Sequence, residues 1–221
     1  MIRASLFDLD NTLIDFIKMK RIACEESIDA MIDAGLKISK GKGLEILYKL
    51  YDRYGLEYHK IFQRFLQKVL GRIDYRILAY GINAYRRVKL GFLVPYPGTK
   101  RTLALLKSRK LRLGIVTDAP RLKAWLRLTA MGIDDFFDAV VTWEDVGRKK
   151  PSRMPFRAAL KKLGVKPEQC LMVGDRPNID LKGAKQLGMK TCFAKYGFEG
   201  KPVKFRADFE IERIGELVKV V

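Results

Sequence analysis

Hydrophobic positions along this chain change period twice. Ile2-Arg3-Ala4-Ser5-Leu6 is apolar enough for a buried strand, and it runs into Phe7-Asp8-Leu9-Asp10-Asn11-Thr12-Leu13. A helical period follows. The spacing predicts a helix from Phe16 through Ile17, Ile22, Ile28, Met31 and Ile32 to Gly35, a second through Leu44, Ile46, Leu47, Leu50 and Tyr51 to Gly55, and a third through Ile61, Phe62, Phe65, Leu66, Val69 and Leu70 to Gly71. A fourth runs from about Asp74 to Leu90. No strand interrupts them, so 16–92 reads as a helical insert with its own small core.

Pro95-Tyr96-Pro97-Gly98 punctuates the return to another pattern. Helices are expected at Thr99–Arg109, Arg121–Met131, Pro155–Leu163 and Asp180–Leu187. Strands are expected at Leu111–Thr117, Ala139–Trp143, Cys170–Gly174, Thr191–Ala194 and Ala207–Ile211, with a short last helix. Alternation of this kind builds a parallel sheet with helices on both faces. The fold class is therefore α/β: a Rossmann-like core of 1–15 and 93–221 with an all-helical insert at 16–92. Ligands of such sheets bind at the carboxyl ends of the strands.

Composition changes this picture little. The 221 residues are 48% hydrophobic, enough for one generous domain or a core and a smaller insert. The formal net charge of +19 favours anionic ligands. It is spread, with +8 inside 16–92 and +11 outside, so no basic tail or clustered basic face marks a nucleic-acid binder. Cys24, Cys170 and Cys192 are odd in number and lack a C-x-x-C pair, which argues against a zinc ribbon or a disulfide framework and for a reducing, cytoplasmic setting. No leader pattern or membrane-length apolar run is read. His59 is expected to be a surface or packing residue rather than a catalyst, and the aromatic series Tyr48, Tyr51, Tyr54, Tyr58, Phe62 and Phe65 to be core packing.

The chemistry concentrates at strand ends. Residues i and i+2 of a strand share a face, so Asp8 and Asp10 can enter one pocket; such close carboxylates need a cation between them, and oxygen donors suit Mg²⁺. Asn11-Thr12 can turn backbone N–H groups toward an anion, although D-x-D-x-T alone is equally a turn or a helix cap. Val116-Thr117-Asp118 ends a second strand. Lys149-Lys150-Pro151 lies between a strand and a helix, and Val173-Gly174-Asp175 closes another strand with Asp180 five residues on.

In this order the motifs resemble the haloacid dehalogenase superfamily of phosphatases. Its D-x-D-x-T is matched by Asp8, Asp10 and Thr12, its strand-ending Ser or Thr by Thr117, its Lys before Pro by Lys150, and its G-D-x-x-x-x-D by Gly174, Asp175 and Asp180. The insert is similar to that family's C1-type helical cap. The tail with Lys182-Gly183-Ala184 and Leu187-Gly188-Met189 is similar to archaeal members acting on small phosphosugars. Two departures stand out: Asp118 where relatives often carry Asn, and Lys150-Pro151-Ser152-Arg153-Met154-Pro155 in place of K-P-x-P.

The resemblance implies a Mg²⁺-dependent phosphatase of small phosphorylated metabolites, of the phosphosugar or glyceraldehyde 3-phosphate type. Asp8 would be the nucleophile, Asp10 the acid and then the base, and Thr117 and Lys150 the donors to the phosphoryl oxygens. Asn11, Thr12 and Asp118 would line the substrate. Asp8, Asp175 and the carbonyl of Asp10 would hold Mg²⁺, with Asp180 behind them. No nucleic-acid or membrane partner is implied, and the protein is expected to be a monomer or homodimer. A phosphoglucomutase-type transferase or a 2-haloacid dehalogenase could use the same fold; Asp10 argues for phosphate, because a halide leaves without a proton. A non-catalytic nucleic-acid-binding protein would account for the charge and leave the motifs without a role.

Overall fold

A computed structural model describes residues 1–200 and 204–221. Among them six strands form one parallel sheet: β1 (Ala4–Phe7), β2 (Arg112–Thr117), β3 (Ala139–Thr142), β4 (Cys170–Gly174), β5 (Lys190–Ala194) and β6 (Phe209–Ile211), in the order β3-β2-β1-β4-β5-β6. The near-continuous burial of the three central strands β2, β1 and β4 is what a sheet covered on both faces requires. Strand order reverses at β1, which lies between β2 and β4. Phe7 is level with Ile115 on one side and Val173 on the other, so the residues just past all three strands gather at one crevice.

The helices run α1 (Phe16–Asp33), α2 (Lys40–Tyr54), α3 (Ile61–Leu70), α4 (Tyr75–Phe92), α5 (Thr99–Ser108), α6 (Arg121–Met131), α7 (Trp143–Val146), α8 (Arg153–Leu163) and α9 (Lys182–Lys185). The chain forms two compact units, one of 1–16 with 94–221 and one of 17–93. In the helical unit Ile28, Met31, Leu47, Tyr51, Phe62, Phe65 and Leu66 pack together, with Tyr48, Tyr54 and Tyr58 at the edge of the cluster. The aromatic series is thus packing, and His59 is exposed. Ser39 and Asp74 start α2 and α4 by accepting N–H bonds of the first turn. Gly71 ends α3 in the left-handed region, which costs a residue without Cβ little.

In the sheet unit Leu6, Val116, Val141, Phe156, Leu160, Met172 and Ala184 share one core, so α8 and α9 cover that face. The chain leaves the unit after Phe16 and returns at Val94. The two crossings are fastened side by side by a bridge between Ile14 and Pro95 and by Tyr96 N–H donating to Leu13 O at 2.9 Å.

Two elements differ from the pattern reading. α8 begins at Arg153, two residues before Pro155, because Ser152 caps it and a proline in the first turn has no N–H to leave unpaired. The helix expected at Asp180–Leu187 is instead a turn of π-helix, Pro177–Leu181, followed by the single turn α9. Asp180 explains the change: its N–H bonds Arg176 O at 2.7 Å while its Oδ2 accepts Arg176 N–H at 2.9 Å, folding the segment back onto the end of β4.

Candidate active site

Asp8 is the first residue past β1, tied to β4 by its N–H donating to Val173 O at 2.9 Å. Asn11 follows with φ 60°, a left-handed conformation that asparagine tolerates better than most residues, and its N–H bonds Ile14 O. The resulting tight turn points Thr12 inward, where its hydroxyl donates to Asp175 Oδ1 at 3.1 Å. Tyr196 backs the turn by donating to Thr12 O at 2.7 Å, and Gly197 lies so close to Asn11 O that no Cβ would fit between them.

β4 supplies Asp175 directly after Gly174. A Cβ on Gly174 would lie 2.5 Å from the Cβ of Asp180, so glycine is what lets Asp180 fold back beside the strand end. The three carboxylates of Asp8, Asp175 and Asp180 are buried, with oxygens within 4.8 Å of one another. Lys150 enters this group: its ammonium ion-pairs with Asp8 Oδ1, lies 2.7 Å from Asp180 Oδ1 and donates to Val116 O at 2.9 Å. Asp118 positions the lysine backbone by accepting Lys150 N–H at 2.9 Å, and Arg176 stands 3.9 Å from the other Asp118 oxygen. Thr117 ends β2, two positions beyond the Phe7–Ile115 pair, and its Oγ1 accepts from Ala119 N–H at 3.1 Å.

Burial dominates the electrostatics. It pushes Asp8 up to about 7 against the lowering influence of Lys150, with Asp180 adding to the rise. Asp175 is pushed up to about 8 by burial and then by Asp8 and Asp180. Burial works to lower Lys150, but Asp180, Asp8 and Asp118 outweigh it and hold the ammonium above its ordinary value. The group is thus short of positive charge. Asp8 Oδ2 is buried with no hydrogen-bond partner among the described residues, and every donor in the cluster is a carboxylate oxygen, so the residues fit a hard divalent cation.

This geometry accompanies a family match. A model of the haloacid dehalogenase-like hydrolases matches residues 2–188. The chain belongs to the haloacid dehalogenase-like hydrolases. A glyceraldehyde 3-phosphate phosphatase of Methanocaldococcus jannaschii is 40% identical over 222 residues, covering 100% of this chain and 97% of the relative. Another, of Pyrococcus furiosus, is 34% identical over 223 residues, covering 100% and 93%. Among solved structures the HAD phosphatase from Thermococcus onnurineus superposes with a TM-score of 0.70 at 29% identity, covering 99% of this chain and 97% of that one. The parallel sheet described above is the haloacid dehalogenase-like fold.

Within this hydrolase the structure brings Asp8, Thr12, Lys150, Asp175 and Asp180 into direct contact and joins Asp118 to them through the Lys150 backbone. Asp10 stands outside those contacts, its Oδ2 2.9 Å from Nη1 of Arg127, yet its charge adds to the rise at Asp8. Three site residues escape the sequence reading. Arg176 follows Asp175 directly and could have been noticed there. Arg127 occupies a buried position in the helical period of α6, a signal of its own. Tyr196 has none, because its role exists only where residue 12 comes beside it.

Proposed function

We propose that this hydrolase is a Mg²⁺-dependent phosphatase of small phosphorylated metabolites, of the phosphosugar or glyceraldehyde 3-phosphate type. One observation carries the reading: a buried aspartate past β1 has one oxygen on Lys150 and the other without a hydrogen-bond partner among the described residues, beside Asp175 at the next strand end. The names of the archaeal relatives support the substrate class. Three buried free thiols fit a reducing, cytoplasmic setting.

Mg²⁺ would be held by Asp8, Asp175 and the Asp10 carbonyl, and when bound it supplies positive charge to neutralise the phosphate dianion and orient it for in-line displacement. A carboxylate oxygen of Asp8 attacks phosphorus, forming the aspartyl phosphate as the bond from phosphorus to the ester oxygen breaks. The leaving oxygen takes the proton of Asp10. Asp10, now ionised, accepts a proton from the water that attacks phosphorus, and the bond to Asp8 breaks to free inorganic phosphate. Lys150 opposes the protonation that burial favours at Asp8. The Thr117 hydroxyl, whose oxygen already accepts from Ala119, can direct its hydrogen to a phosphoryl oxygen. Asp180 braces Lys150 and the 176–180 turn rather than binding the cation itself. The helical insert, 16–92, serves as the substrate-selecting cap.

Hydrolysis of a phosphate-ester panel with Mg²⁺ and with EDTA tests the reading. Phosphate release from a small phosphosugar that EDTA abolishes and Mg²⁺ restores is expected; transfer of the phosphoryl group to a sugar without release would instead indicate a mutase.

A further inference from the structure

Arg127 lies on the face of α6 that also buries Ala124, Leu128 and Met131, and only 2% of its side chain is exposed. A buried guanidinium is strongly unfavourable unless a partner compensates its charge. Asp10 is one such partner, at 2.9 Å. On its flat side the guanidinium carbon lies 4.2 Å from the ring centroid of Phe16, the residue at which the chain leaves the sheet unit. The pair is unequal. The arginine is gripped on two sides, whereas Asp10 keeps 26% of its side chain exposed.

We infer that Arg127 is a positioning residue for the proton transfers of Asp10: clamped against Phe16, it holds the Asp10 carboxyl group in one orientation, as the acid toward the leaving oxygen and then as the carboxylate toward the attacking water. The inference rests on the phosphatase reading. No bond to Arg127 forms or breaks, and its guanidinium stays charged throughout. What it contributes is geometric, since the ion pair narrows the range of side-chain torsions open to the Asp10 carboxyl group. A planar fork is suited to this in a way that an ammonium is not. If the pair served stability alone, a packed apolar replacement would leave turnover untouched.

The test compares wild type with Arg127→Met, Arg127→Lys and Arg127→Ala on one alkyl and one aryl phosphate. Circular dichroism and thermal melts establish that each variant is folded. For Arg127→Met, kcat on the alkyl ester should fall about tenfold to a hundredfold with KM within about twofold, while the aryl ester, whose leaving group needs little protonation, suffers less. Free guanidinium ion should restore part of the lost kcat in Arg127→Ala, and none in Asp10→Asn. Arg127→Lys should fall between wild type and Arg127→Met. Should Arg127→Ala not fold, the Met and Lys variants decide. Unchanged kcat in Arg127→Met, equal losses on both esters, or a loss confined to KM would overturn the inference while leaving the phosphatase reading intact. A wild type that hydrolyses neither ester would overturn both.

Discussion

At the residue scale, the site is a local excess of buried negative charge gathered around one lysine. Asp8 has the decisive place, since one of its oxygens is held by Lys150 and the other has no hydrogen-bond partner among the described residues. Asp8→Asn keeps the side-chain volume and removes the proposed nucleophile, so phosphatase turnover should vanish while the circular dichroism spectrum is unchanged; more than a tenth of wild-type activity would exclude Asp8 from that role. Asp10→Asn should be worst on alkyl phosphates, and equal losses on alkyl and aryl esters would remove Asp10 from the acid role. The sequence exposes Asp8, Asp10, Thr117, Lys150 and Asp175 because each terminates a local pattern. Arg127 and Tyr196 stay hidden, since their partners, Asp10 and Thr12, are 117 and 184 positions away.

At the element scale, caps and short ties decide where strands and helices end. Asp74 accepts N–H bonds from Arg76 and Ile77 at the head of α4. Replacing it by Ala should destabilise the protein by about 1 kcal/mol, read from chemical denaturation, and Asp74→Ser should cost less. Asp138 ties α5 to the edge of β2, accepting from Lys107 at 2.7 Å and from Leu113 N–H at 2.8 Å. Burial acts to raise its pKa, but the bonds from Lys107 and Leu113 together win and leave it lowered. A lowered folded pKa means that the stabilisation is present above the unfolded value and disappears as pH falls through the folded one. The stability advantage of wild type over Asp138→Asn should accordingly be full at neutral pH and shrink below about pH 4; a gap that widens on acidification would contradict this tie. The turn at 177–181 shows the limit of periodicity, because one side-chain bond from Asp180 to the Arg176 N–H redirects a segment whose apolar spacing reads as helix.

At the scale of the whole molecule, +19 formal charges spread over both units repel one another. Raising salt from about 10 to about 200 mM should raise the melting temperature by screening that repulsion, and a fall would indicate that ion pairs dominate instead. Among the described residues no helix is long and apolar enough to cross a membrane. The insert can be tested as one piece. Replacing 17–93 by a Gly/Ser linker between the fastened crossings at Ile14 and Pro95 should leave the parallel sheet folded by circular dichroism. Activity on a small phosphosugar should collapse while an aryl phosphate is still hydrolysed at a measurable rate. A capless core with the intact protein's substrate ranking would remove the insert from substrate selection.

Local order in the chain determined most of the fold. Period-2 and period-3.6 runs, glycine stops and strand-ending aspartates specify the alternating elements and the crevice at their carboxyl ends, because each depends on neighbours within a few residues. Only the tertiary structure decided the charge arithmetic of the site. Lys150 and Asp8 are 142 residues apart, and nothing in either local sequence says that the ammonium will enter between Asp8 and Asp180 or that Asp10 will turn to Arg127. Hydrophobic periodicity brings strand ends together without distinguishing charges; which carboxylate meets which cation depends on side-chain reach and on the cost of leaving any buried charge unpaired.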